Sequence, residues 1–218
     1  MEVVKSILLI LSALFPIVNP LGGSPVFLAL TRDYPRDVRR VLAWKVAVNS
    51  FVLLVASFLI GTHILRFFGI SIPVVQVGGG MIVIANGWAL LRRSDEPDRA
   101  KAKQDAAPMD AFRSAFYPLT MPLTVGPGSI SVAITLGANE QRGIANLLLI
   151  LAAVVGSALV AVSIYLCYGF ADWLAAAIGE NAMGIILRLS SFLLVCIGVQ
   201  ILWNGVSALL RTLPGFSG

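Results

Sequence analysis

Phe15-Pro16-Ile17-Val18-Asn19-Pro20-Leu21-Gly22-Gly23-Ser24-Pro25 and, 102 residues later, Tyr117-Pro118-Leu119-Thr120-Met121-Pro122-Leu123-Thr124-Val125-Gly126-Pro127 share one pattern, aromatic-Pro-x-x-x-Pro-Leu-x-x-x-Pro. Three prolines in register mark an internal duplication. A second echo supports it: Asn86-Gly87 followed by Leu90-Leu91, and Asn204-Gly205 followed by Leu209-Leu210, 118 residues apart at the asparagines. The two spacings differ, so the halves differ by loop insertions.

Around these motifs the chain is too apolar for a soluble domain. Of its 218 residues 58% are hydrophobic and 12% charged, with mean hydropathy +0.89, more apolar surface than a soluble monomer of this size can hide. At about 20 apolar residues per crossing, spans are expected near 6–30, 41–62, 70–91, 114–137, 144–169 and 183–210. The run at 7–15 behind Lys5 has the look of a secretory leader, but no small-residue cleavage site follows, so it is read as a span. An odd number of spans per unit forces the second unit to enter the membrane from the opposite face. The expected fold is therefore an all-α integral membrane protein, six transmembrane helices arranged as two inverted three-helix repeats with broken first and fourth helices. Residues 1–91 form the first repeat, 92–113 a charged cytoplasmic linker and 114–218 the second repeat.

Charge orients the chain. Arg32, Arg36, Arg39 and Arg40, with six more basic residues in 92–113, fall on one side, against Lys5, Arg66, Arg142 and Arg211 on the other. The positive-inside rule puts the first group in the cytoplasm and both termini outside, for a multi-pass protein expected in the plasma (inner) membrane. A net charge of +5 does not signal nucleic acid here, because the basic residues lie between apolar runs and form no stripe with interleaved aromatics. The two cysteines, Cys167 and Cys196, sit inside apolar runs, so neither a disulfide framework nor a zinc site is expected.

Three prolines in ten residues cannot form a continuous helix, and in lipid a broken helix survives only where protein or a wet cavity covers the freed backbone. Ser24-Pro25 and Gly126-Pro127 each resemble a helix start, cap then proline, which would aim free N–H groups and a positive dipole end at each break. Two such ends suit an anionic group such as a carboxylate. The candidate substrate-binding residues are Asn19, Pro20, Gly22, Gly23, Ser24 and Pro25 from the first break, and Thr124, Gly126, Pro127, Gly128 and Ser129 from the second.

The acidic residues all lie near span ends or in loops, which disfavours proton relay by a buried carboxylate. No cofactor is expected, and a coupling ion, Na+ or H+, would have to use carbonyls and hydroxyls at the breaks. Asn49, Asn86, Asn204, Gln76 and Gln200 are read as interhelical glue. Gly78-Gly79-Gly80 and the Ala153, Ser157, Ala161 series are read as close-packing surfaces. With no aspartate pair in the spans and no His-Glu-x-x-His, an intramembrane enzyme is not expected; no charged ring or filter motif points to a channel.

At its two motifs the sequence resembles the MarC family of multi-pass membrane proteins. Asn19-Pro20-Leu21-Gly22 with Pro25-Val26-Phe27 matches that family's first signature, and Pro122 through Gly126-Pro127-Gly128-Ser129-Ile130 its second. The similarity runs over essentially the whole chain. It implies six spans, a distant relation to LysE-type amino-acid exporters, and, for some members, transport of small neutral amino acids such as glycine and alanine. This chain has Gly23-Ser24 where an Asn followed by a branched aliphatic is common. The expected function is a secondary transporter of small neutral amino acids working around a midplane site, the alternatives being a non-transporting scaffold or an exporter of another small solute. The expected partners are substrate and lipid, and a homo-oligomer is compatible with the sequence.

Overall fold

The computed structural model describes residues 2–92, 114–139 and 146–212. Nearly all of the expected charged linker, and Arg142, lie outside the described residues. The secondary structure that is described is helical: α1 (Glu2–Val18), α2 (Pro20–Leu30), α3 (Arg36–Phe67), α4 (Ile72–Leu91), a proline segment (Ala115–Thr124), α5 (Pro127–Asn139), α6 (Asn146–Gly169), α7 (Ala171–Ile178) and α8 (Glu180–Leu210). Five stretches are long and apolar enough to cross a membrane, α1 and α2 together counting as one. A sixth arises if the proline segment and α5, bent by 70°, make one crossing.

The two motifs break their helices differently. In the first, Pro20 has no N–H to continue α1, and the chain turns through a single residue, Asn19, in the left-handed region (φ 47°, ψ 59°). Asparagine tolerates that conformation better than most residues, and its Oδ1 accepts from Gly22 N at 3.1 Å. The helix therefore restarts at Pro20 with Asn19 as its cap. Ser24 and Pro25, expected to begin the new helix, lie inside α2 instead: the earlier of two competing start signals is used, and the break is one residue wide.

The second break is extensive. Tyr117 and Met121 are extended (φ −124° and −117°), as residues before proline tend to be, and both following peptide bonds are cis. Each belongs to a tandem x-Pro-Leu-Thr unit whose threonine substitutes for a missing backbone donor: Thr120 Oγ1 donates to Ala115 O at 2.6 Å and Thr124 Oγ1 to Leu119 O at 2.7 Å. Gly126-Pro127 then begins α5, as expected.

Packing follows the membrane pattern. Large apolar side chains such as Leu147, Leu151, Val162, Ile185 and Phe192 face outward, while small hydroxyls (Ser50, Thr120, Thr124, Ser129, Ser131, Ser157, Ser191) are buried. Without a hydrophobic drive between helices, contact comes from small residues that let backbones approach. Helix α3 packs on α5 and α6, α1 on α6, and α4 on α8. The α4–α8 seam is lined by four glycines. A methyl placed on Gly80 would lie 2.6 Å from Leu202 N and 2.8 Å from Gly198 O, and one on Gly198 would lie 2.8 Å from Ile84 N and 3.0 Å from Gly80 O. A methyl on Gly87 would meet Val195 N at 2.9 Å and Ser191 O at 3.0 Å; one on Gly205 would meet Pro73 O at 2.6 Å and Val77 N at 2.9 Å. The two helices are therefore antiparallel.

The ends of the bundle are distinguishable by their contacts. The C-terminal end of α5 reaches the α3–α4 turn, where Ala138 shares a groove with Thr62, Arg66 and Pro73. At the other end, Arg39 of α3 is buried and donates to Asp172 of α7 at 2.5 Å and to Tyr34 O at 3.2 Å. Arg36 Nε lies 3.8 Å from the same carboxylate. Among the described residues Asp172 is the carboxylate that pairs directly with the buried guanidinium, so Asp172→Ala is expected to destabilise the fold by about 3 kcal/mol, the low end for breaking a buried pair. Denaturant titration in mixed micelles would measure it, and Arg36→Ala, at an exposed position, should change stability by less than about 1 kcal/mol.

Candidate functional site

A cavity of about 270 Å³ lies where the two breaks meet. Seven of the expected binding residues line it: Asn19, Gly22 and Gly23 from the first motif, Thr124, Gly126, Gly128 and Ser129 from the second. Pro20, Ser24, Pro25 and Pro127 do not; α2 begins five residues earlier than expected, which places Ser24 and Pro25 inside the helix. The remaining lining comes from Ile17, Val18 and Val26 of α1 and α2, Val83, Asn86, Ala89 and Leu90 of α4, Pro122 and Leu123 of the proline segment, and Leu194 of α8. Another groove, of about 350 Å³ at the α3–α4 turn, takes in neither motif.

The floor is buried and small: Gly22, Thr124, Gly128 and Ser129, backed by Val83 and Leu194. Asn86, Ala89 and Pro122 are exposed and form the mouth, which runs along α4 toward Leu91. Helix α4 returns from the α3–α4 turn, so this is the direction of the Arg39 end.

The polar groups facing the cavity are mainly donors. Asn19 commits its Oδ1 to Gly22 N, but its Nδ2 is buried without a partner. This side chain can fold back only because residue 22 has no Cβ, which would collide with Asn19 Nδ2. At α5, Pro127 has no N–H, Gly126 O accepts from Ile130 N and from Ser129 Oγ, and the first-turn N–H groups of Gly128 and Ser129 have no acceptor within the helix. Asn86 Nδ2 lies 3.9 Å from where a Cβ on Gly126 would be. None of the described residues lining the cavity carries an ionisable side chain, and among the described residues no three His, Cys, Asp or Glu side chains gather as a metal site.

Behind the floor stands Tyr168 of α6, fully buried and stacked on Phe27 at 4.6 Å. Its hydroxyl fills the space a Cβ on Gly23 would need and lies 3.1 Å from Thr124 Oγ1. Because Thr124 spends its single hydrogen on Leu119 O, Tyr168 is the donor. One hydroxyl thus ties the first motif to the second. Asn49 of α3 supports the proline segment in the same way, donating to Thr120 Oγ1 at 3.4 Å, the helix-to-helix role expected of it. Asn86 has a different place, in the cavity wall rather than at a helix contact. In an all-round apolar helix like α4 no periodicity marks which face an amide occupies, and Tyr168 has no signal either, being one aromatic in a long apolar run.

A bundle of apolar helices around small buried hydroxyls, with an internal cavity at two interrupted helices, defines a multi-pass integral membrane protein. The MarC family integral membrane protein model matches residues 4–210. The chain is 31% identical over 218 residues to the UPF0056 inner membrane protein MarC of Salmonella typhimurium (strain LT2), covering 97% of this chain and 99% of that protein. It is 32% identical over 199 residues to a UPF0056 membrane protein of Methanocaldococcus jannaschii (91% and 95% covered), and 30% identical over 203 residues to one of Aquifex aeolicus (91% of each). No solved structure matches. The chain belongs to the MarC family.

Proposed function

We propose that the cavity is the substrate site of a secondary transporter for small neutral amino acids, of the glycine, alanine and threonine class, in the inner membrane. The observation that carries this reading is the convergence of unpaired donors on a small, glycine-floored cavity: Asn19 Nδ2 and the first-turn N–H groups of α5. A substrate carboxylate belongs at Gly128 and Ser129, where the helix N-terminus favours negative charge. The start of α2 does not compete for it, since Gly22 N and Gly23 N already donate to Asn19. The substrate's ammonium would take carbonyls that the prolines of the two breaks leave without a helical donor. A glycine floor leaves room only for short side chains. A coupling Na+ or H+ would use the same carbonyls and hydroxyls.

The mechanism we propose is alternating access by two inverted repeats. The α4–α8 seam supports it: shifting each contact by the 118-residue spacing of the second echo exchanges it for its partner. Gly80 against Leu202 becomes Gly198 against Ile84, and Gly87 against Val195 becomes Gly205 against Val77. The contacts at the bundle ends support counting the bent pair as a crossing, which leaves both termini at the end opposite Arg39 and, by the positive-inside rule, outside the cell.

The test is uptake and counterflow of labelled glycine, alanine, threonine and leucine in proteoliposomes, with and without Na+ or proton gradients. Saturable movement of the small substrates is the expected result. Its absence from folded protein overturns the reading in favour of another solute or a non-transporting scaffold. Within this assay, Asn86→Ala should raise the substrate KM about tenfold, the loss of one hydrogen bond to a charged group. Asn49→Ala should lower stability by about 1 kcal/mol with KM unchanged.

A further inference from the structure

We infer that Asn204 of α8 is the counterpart of Asn86 in the opposite state of the protein: a cavity-lining amide exposed to the face that bears the termini. The inference rests on the transporter reading for its purpose and on the α4–α8 seam for its geometry.

The cavity in this structure is one-sided. Its α4 wall runs through Val83, Asn86 and Ala89 toward the Arg39 end, while the other end is closed by α5. There a Cβ on Gly137 would collide with Phe58 O and one on Gly79 with Ser131, and Ser131 Oγ donates to Val75 O at 2.9 Å. Two repeats related by the seam can exchange conformations, and the exchange carries each residue of α4 onto the residue 118 positions later in α8. Asn86 maps to Asn204 and Ala89 to Ser207, while Leu194 of the present wall maps back to Gln76. The helices are antiparallel, so the exchanged wall faces the other end of the bundle.

The present surroundings of Asn204 fit a group waiting for that state. It is exposed, and its Oδ1 accepts from Gln200 Nε2, also exposed, at 2.9 Å within the same helix. Its neighbours Trp203 and Val199 are more than half exposed, as for a lipid-facing surface. Two amides on such a surface satisfy only part of their hydrogen-bonding capacity on each other, and intramembrane polar groups ordinarily face an interior or a water-filled cavity. Neither the cavity at the breaks nor the groove at the α3–α4 turn reaches them.

The experiment is thiol labelling of the full chain in sealed vesicles of either orientation, with Cys167 and Cys196 replaced by Ala. Asn86→Cys and Asn204→Cys are introduced singly and treated with a membrane-impermeant maleimide. Asn86→Cys should react about ten times faster from the Arg39 face, and Asn204→Cys about ten times faster from the face bearing the termini, since each is reactive in proportion to the state that exposes it. Ser207→Cys, one turn on, should share the sidedness of Asn204→Cys, and Trp203→Cys should stay unreactive. Glycine or alanine should slow both asparagine positions. If Asn204→Cys and Ser207→Cys react from neither face, or from the Arg39 face, the assignment fails even if the wild type transports glycine. Sided labelling that neither amino acid slows upholds the assignment and overturns the amino-acid reading alone.

Discussion

Gly128→Leu is expected to insert, fold and move no substrate. The residue lies on the cavity floor at the start of α5, and the first atom of any side chain there would run into the Cγ2 methyl of Val83. That methyl is the end of a side chain on the cavity's other wall, so it can turn aside, and the cost falls on the cavity rather than on the backbone. A leucine beyond it occupies the space beside the Ser129 N–H, the place proposed for the substrate carboxylate. Transport should fall by about a hundredfold or more, as displacing a bound group by an ångström suffices for that. Folding is read independently from the melting of the purified variant, which should stay within a few degrees of wild type. Unchanged transport by Gly128→Leu would remove the cavity floor from the binding site.

The second large effect concerns stability and separates two glycines two residues apart. Gly80→Leu should destabilise the protein by about 3 kcal/mol, the upper part of the usual range for overpacking. What its Cβ meets is backbone, Leu202 N and Gly198 O, which cannot move aside without separating α4 from α8. Gly78→Leu, by contrast, points a side chain into open space, with nothing within 4 Å of its Cβ, and should stay within about 0.5 kcal/mol of wild type. Denaturant titration in mixed micelles measures both. Equal losses would mean that the seam is looser than its geometry.

These glycines show what the sequence could and could not disclose. A run of three reads as a packing surface, and two of the three, Gly79 and Gly80, are one. Which members take part depends on helices far along the chain, α5 for Gly79 and α8 for Gly80, and no local pattern reports that. Helix positions were legible because a bilayer demands long apolar segments with internally satisfied backbones. The place where the cavity opens was legible because prolines remove donors wherever they stand. Its detailed boundary was not. Two helix-start signals, Asn19-Pro20 and Ser24-Pro25, compete within seven residues, and the structure uses the first. Pro20 and Pro127 were placed in the site for the breaks they cause; they shape it without lining it. Asn86, taken for a helix contact, lines the mouth.

The α4–α8 seam has a mechanical consequence. Because its contacts are the same when read from either end, exchanging the shapes of the two halves leaves it as it was. A joint of that kind acts as an axle: the parts fixed to it can swing while the bearing surface neither opens nor slips. In the mechanism proposed above, rigidity there and freedom elsewhere are one property of the chain, and Gly80, Gly87, Gly198 and Gly205 bring backbone against backbone on the pair of helices that the proposed exchange has no need to move.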